Sequence, residues 1–225
     1  MASPAQKART HLSQVASLRA ARHADAELAS RVAAIKQFQH ARFSRDYADL
    51  LTDKRYRAAT QFFLEDLYSP ADFTDRDTQF GRVVPAMERM FPADVMHTVA
   101  QLAELHALTE SLDQEMAQQV QVSAAVDDAS YRAAWRTVGR SDARQRQLEL
   151  LIAIGTSLDQ HTRTSLLAVT LRLMRAPARA AGLGQLQSFL ERGLAAFVAM
   201  RGAQHFLETI RANEQRTIAG LFSAQ

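Results

Sequence analysis

The sequence predicts an all-α protein, an irregular multi-helix bundle of about eight or nine helices. Helix breakers are scarce: 8 glycines and 5 prolines stand against 41 alanines in 225 residues. Alanine loses no side-chain freedom in a helix, whereas glycine and proline oppose it. Apolar residues also recur at spacings of three and four through most of the chain, the period of a helix with one face on a core. No heptad run persists for three or four repeats, so a bundle is expected rather than a coiled coil.

Ser3-Pro4 reads as an N-cap followed by the first helical residue. Residues 1–23 hold sparse apolar positions, Leu12, Val15 and Leu18, and are expected to be an N-terminal arm or loosely docked helix before a single helical domain over 24–225. From about Ala24, the series Leu28, Val32, Ile35, Phe38, Phe43, Tyr47 and Leu51 predicts one long helix, or two bent near His40. Tyr56, Ala59, Phe63 and Leu67 share a face in a helix over 54–68, which Ser69-Pro70 should end. Thr74 is the expected N-cap of the next helix, with Asp75 and Asp77 favourable to its dipole. Pro85 should kink or interrupt that helix, and Phe91-Pro92 should close it.

The clearest periodic run spans 94–120, where Val95, Val99, Leu102, Leu105, Leu108, Leu112, Met116 and Val120 advance by three or four. Residues 121–128 are expected to connect it to helices over 129–138 and 142–161, separated by Gly139-Arg140-Ser141 with Ser141 as cap. A short apolar helix over 164–176 should end at Pro177. Gly182 and Gly184 mark the next boundary, and a final pair over 185–200 and 203–222 is hinged at Gly202.

Composition excludes several functional classes. With no cysteine there are no disulfides, thiolate metal sites or cysteine nucleophiles. No stretch approaches the roughly 20 consecutive apolar residues of a membrane span, and the polar start lacks the apolar core of a secretory signal. A cytoplasmic protein is expected. The formal charge of +3 is unevenly spread: residues 1–45 carry +6, residues 46–128 carry −10 and residues 129–225 carry +7. Basic ends and an acidic middle suit neutralisation within one chain or across a homodimer.

No phosphate loop, nucleophile elbow or dinucleotide fingerprint occurs, which leaves enzyme activity open, because scattered catalytic residues escape such a search. His97 and His106 lie about two and a half turns apart and point to nearly opposite sides of one helix. With no Glu-x-x-His or His-Glu-x-x-His pair, no metal site is expected, and the sequence assigns no cofactor. His106, Glu110 and Asp113, at offsets of four and seven, are weak catalytic candidates, since a buried imidazole between two carboxylates could move a proton. The simpler expectation is an exposed pair flanking the core. The acidic residues Glu65, Asp66, Asp72, Asp75 and Asp77 lack the pattern of a calcium loop and are expected to cap helices or pair with Arg55, Arg57, Arg76 or Arg82. Arg172, Arg175 and Arg179 lie on or just beyond the short apolar helix and are candidate partner-binding residues; the simpler expectation is a buried helix whose arginines pair with the acidic centre. In the last helix, Asn213, Glu214 and Thr217 interrupt an apolar face and are expected to be solvated.

The block Phe62-Phe63-Leu64-Glu65-Asp66-Leu67-Tyr68-Ser69-Pro70, followed by Asp72-Phe73 and Arg76-Asp77, resembles an uncharacterised family of bacterial helical proteins, as does the stretch from Gly182 to Gly193. The resemblance implies a bacterial source and an all-helical fold, and implies no activity. The sequence therefore favours a non-enzymatic protein-association module, a homo-oligomer or a binder of another protein, over a helical pocket protein for an apolar ligand or cofactor. Nucleic acid and membrane surfaces are the less favoured partners.

Overall fold

The computed structural model describes residues 2–120, 125–162 and 165–223. These residues form eleven α-helices and one π-helical turn, without strands, rather than the eight or nine helices expected. They are α1 (Pro4–Ala24), α2 (Ala26–Asp46), α3 (Ala48–Thr52), α4 (Arg57–Phe62), the π-turn (Phe63–Leu67), α5 (Thr74–Met90), α6 (Ala93–Ala117), α7 (Asp128–Val138), α8 (Ser141–Thr162), α9 (Ser165–Ala180), α10 (Gly184–Met200) and α11 (Gln204–Phe222). The excess arises between residues 24 and 68. Asp25 caps α2 by accepting from the Glu27 and Leu28 amides, and the chain then breaks again at Tyr47 and Asp53. The predicted connection over 121–128 falls partly on residues 121–124, which lie outside the described residues.

Helix α6 is the axis of the bundle. Its buried residues face every direction, from Met96 and Val99 to Leu112, Asp113 and Met116, because α1, α2, α5, α7 and α8 all pack on it. A helix packed by five others needs no single apolar stripe. Helix α1, expected as an arm or loosely docked helix, lies along α6 and against α5 with Ala5, Ala8, Leu12 and Val15 buried. Ala5 and Ala8 allow close approach without many large apolar side chains, which is why the sequence pattern there looked weak. The Ser3 cap is present as a full capping box with Gln6.

Two apolar clusters lie along α6. The larger includes Val99 and Leu105, with Phe62, Phe63, Phe189, Phe197 and Phe206 from neighbouring helices. The smaller gathers Val32, Ile35, Met116, Val120, Tyr131 and Trp135. Glu110 and Asp113 occupy the stretch of α6 between them.

Neither internal proline ends its helix. Pro85 lies inside α5 and Pro177 inside α9. Both are exposed, so the carbonyls they leave without a helical donor, those of Gly81 and Leu173, lie on the solvent side. Helix α5 starts at Thr74 with Phe73 in the cap position. The capping oxygen comes instead from Asp72, which accepts from the Thr74 amide at 2.9 Å.

Ala8 is fully buried where α1 meets α6. Ala8→Leu should overpack that contact and lower stability by about 1–3 kcal/mol in urea unfolding.

Candidate functional site

A partly open cavity of about 190 Å³ lies between α4, the π-turn, α5, α6, α8, α9 and α10. Apart from Thr98, His161 and Gln187, every side chain lining it is apolar. Those polar groups are engaged elsewhere: Thr98 with Ser157 at 2.6 Å, Gln187 donating to the Leu171 carbonyl at 2.6 Å, and His161 within 3.8 Å of Asp94. The space is therefore an apolar pocket whose described lining offers few polar groups to anchor water.

Local backbone geometry builds this wall. In the π-turn the Tyr68 amide donates to the Phe63 carbonyl, five residues back, at 2.9 Å. The widened turn lets Phe62 and Phe63, edge to face with centroids 6.4 Å apart, both enter the interior. Phe62 also needs Gly193, since a Cβ there would stand 2.8 Å from Phe62 Cζ. At the other end of the turn Asp66 is buried and accepts a two-pronged bond from Arg192, while its carbonyl accepts from Arg76 at 2.8 Å. The sequence placed Asp66 among acids pairing with nearby arginines; its ion-pair partner is instead 126 residues away. Arg55 and Arg57 bond backbone carbonyls, Arg55 that of Met200 and Arg57 that of Leu51.

Helix α9 forms the outer wall. Leu171, Met174 and Ala178 face the cavity, while Val169 and Leu173 are exposed, Leu173 at 73%. Arg172, Arg175 and Arg179 are exposed too. Arg175 makes a bidentate pair with Glu191 of α10 at 2.8 and 2.9 Å, so it does not reach the acidic middle of the chain, and α9 is not the buried helix expected.

The three catalytic candidates lie away from this cavity. Glu110 and Asp113 are 3% and 2% exposed, which overturns the simpler expectation of a solvated pair. Glu110 accepts from Lys36 at 2.6 Å and from Arg22, and Lys36 also lies 3.6 Å from Asp113. Asp113 accepts from Gln39 at 2.9 Å. His106 does not bridge these carboxylates; its Nε2 is hydrogen-bonded to Asp77 Oδ2 at 2.6 Å, and Arg19 reaches the same oxygen at 2.6 Å. Basic α1 and α2 thus neutralise acidic α5 and α6 within one chain. Burial would raise the Glu110 carboxyl, but Lys36, His106 and Arg22 outweigh it and hold the group well below the usual carboxylate range. Burial opposes ionisation of Asp77 as well, and His106, Arg76 and Arg19 again lower it.

Glu214, expected in solvent, is drawn inward by Arg42 at 3.2 Å and by the Tyr47 hydroxyl, which donates at 2.8 Å. Burial and the adjacent Glu214 carboxylate push the Tyr47 phenol far up, so it stays a donor. Among the described residues, no group of three or more metal-ligating side chains is placed to hold an ion, and no helix is long and apolar enough to cross a membrane.

Residues 18–225 match a family model described as a domain of unknown function, DUF8198. No curated protein and no solved structure matches the chain.

Removing the Glu110 charge leaves the half-buried Arg22 without its counter-charge and Lys36 with Asp113 alone, so Glu110→Gln should lower stability by about 1–3 kcal/mol in equilibrium unfolding. Because the folded-state pKa of Glu110 and Asp77 lies below the unfolded value, their stabilisation is complete above the ordinary carboxylate range, near 4.5 for Glu110, and is lost progressively as pH falls from there toward the lower folded-state values. Stability measured from pH 7 to 3 should drop most steeply below about 4.5, and less steeply in Glu110→Gln.

Proposed function

The chain belongs to the DUF8198 family, and from its own geometry we propose that it binds a compact, uncharged apolar molecule in the cavity beneath α9. The almost wholly apolar lining carries this reading. An apolar cavity of roughly 150 Å³ stays dry and accepts benzene; about 190 Å³ suits one or two fused rings or a branched hydrocarbon of similar bulk. With its polar side chains already engaged, the lining selects by shape and apolarity and offers little to a charged group.

The test uses toluene and naphthalene as probes, with phenol as the polar counterpart. Saturable binding should raise the melting temperature, by about 5–10 °C at a hundredfold excess over Kd. Val99→Phe places a ring in the cavity and should abolish the shift while circular dichroism remains helical. If none of the three probes shifts the transition and Val99→Phe simply raises stability, the space is a packing void and the reading fails.

A second reading, association with another protein or a second copy through the outer face of α9, is supported by exposed Val169 and Leu173 beside Arg172 and Arg179. The segregated charge that first suggested a dimer is largely met within the chain, so this apolar patch is the remaining support for association. In light scattering, Leu173→Glu should shift an oligomer to monomer; a monomer for the unsubstituted chain at high concentration would count against self-association.

A further inference from the structure

Helix α9 walls the apolar cavity without belonging to the core. Leu171, Met174 and Ala178 face the space, yet no described residue of α9 joins either apolar cluster. The other walls are embedded: α6 is packed by five helices, and α4, the π-turn, α5, α8 and α10 all place side chains in the larger cluster. Helix α9 packs chiefly on α10 and more lightly on α8, with Val169, Arg172, Leu173, Ala176 and Ala180 in solvent on its outer side. An element with so few buried apolar contacts belongs to the low end of local stability.

A polar relay centred on Glu191 ties α9 to α10. The Glu191 carboxylate accepts both prongs of Arg175, at 2.9 and 2.8 Å, and a bond from Gln187 Nε2 at 2.9 Å. The same Gln187 nitrogen donates to the Leu171 carbonyl at 2.6 Å, so α9 is gripped at two points one turn apart. At its C-terminal end the Leu183 amide donates to the Ala178 carbonyl at 2.8 Å, and Gly182, with φ of +71°, turns the chain into α10. Glycine takes that left-handed position without strain. Pro177 also denies the Leu173 carbonyl its helical donor. The C-terminal turn is thus a pivot, and the relay holds the helix down on the N-terminal side of it.

We propose that α9 is the gate of the apolar cavity, swinging about its C-terminal turn, with the Arg175–Glu191–Gln187 relay as its latch. The inference rests on the reading of that cavity as a binding site and adds how a ligand enters and leaves. Lifting α9 uncovers Leu171, Met174 and Ala178 but leaves both apolar clusters intact, whereas displacing any other wall opens the larger cluster. With the Arg175 side chain half exposed, its pair with Glu191 is a tie that water and salt can replace. Weakening the latch leaves the lining of the closed state untouched, so entry and exit quicken together and Kd is preserved.

The chain has no cysteine, so Arg175→Cys combined with Glu191→Cys offers a unique pair to a short bismaleimide. Naphthalene binding and release are followed by its fluorescence in stopped flow. Joining the pair should slow both rates by about tenfold or more relative to the same variant left unlinked. In Glu191→Gln both rates should instead rise about two- to fivefold, the effect of one partly exposed ion pair, with Kd unchanged within about twofold. Hydrogen exchange reads the opening without a ligand: Glu191→Gln should speed exchange of the α9 amides and leave those of α6 and α10 as they are. Cross-linked protein that releases naphthalene as fast as the unlinked form, or α9 amides as protected as those of α10 with and without the substitution, would overturn the proposal. If naphthalene does not bind at all, the binding reading fails, and the exchange of α9 alone then decides whether the helix opens.

Discussion

Two carboxylates buried on the central helix constrain much of the molecule. Glu110 and Asp113 sit on α6, which is packed by five other helices, and an ionised carboxylate there is tolerable only with cations within bonding distance. Lys36 from α2 and Arg22 from α1 supply them. Docking of α1 therefore serves an electrostatic need as well as the packing of Ala5, Ala8, Leu12 and Val15. The uneven charge of the linear sequence is a trace of this arrangement, folded back on itself within the chain.

That polar belt divides the interior, and the two apolar clusters on either side of it differ in how fully they are filled. Around Trp135 the irregularity is electrical, in the form of buried N–H groups without an acceptor among the described residues. Toward α9 and α10 the irregularity is steric. The π-turn sends adjacent phenylalanines inward, Gly193 admits the Phe62 ring, and α9 closes the outside with Leu171, Met174 and Ala178. Rigid aromatic walls meeting at such angles do not collapse onto one another, and an apolar space remains.

The family match over residues 18–225, to a domain of unknown function, is consistent with the resemblance to an uncharacterised family. The Phe62–Pro70 block that carried the resemblance contains the π-turn and part of the cavity wall. Phe63 was legible on the apolar face of a helix over 54–68, but the extra residue per turn was not, because i→i+5 bonding leaves no period in a five-residue stretch. Nor could local spacing show that Asp66 pairs with Arg192.

Helical class, the Ser3 cap, the breaks at Asp53, Pro70, Pro92, Gly139 and Gly202 and the apolar run of α6 were set by the sequence alone, because propensity, capping and periodicity act within a few residues. Helix persistence through Pro85 and Pro177, the burial of Glu110 and Asp113, the pairing of Glu214 with Arg42, and the placing of Arg144 against Trp135 were decided by tertiary structure. Whether a charged side chain is solvated or buried depends on which helices cover it. In a bundle those helices come from distant parts of the chain, so the same Glu110 that reads as half of a surface pair becomes a buried anchor once α1 and α2 close over α6.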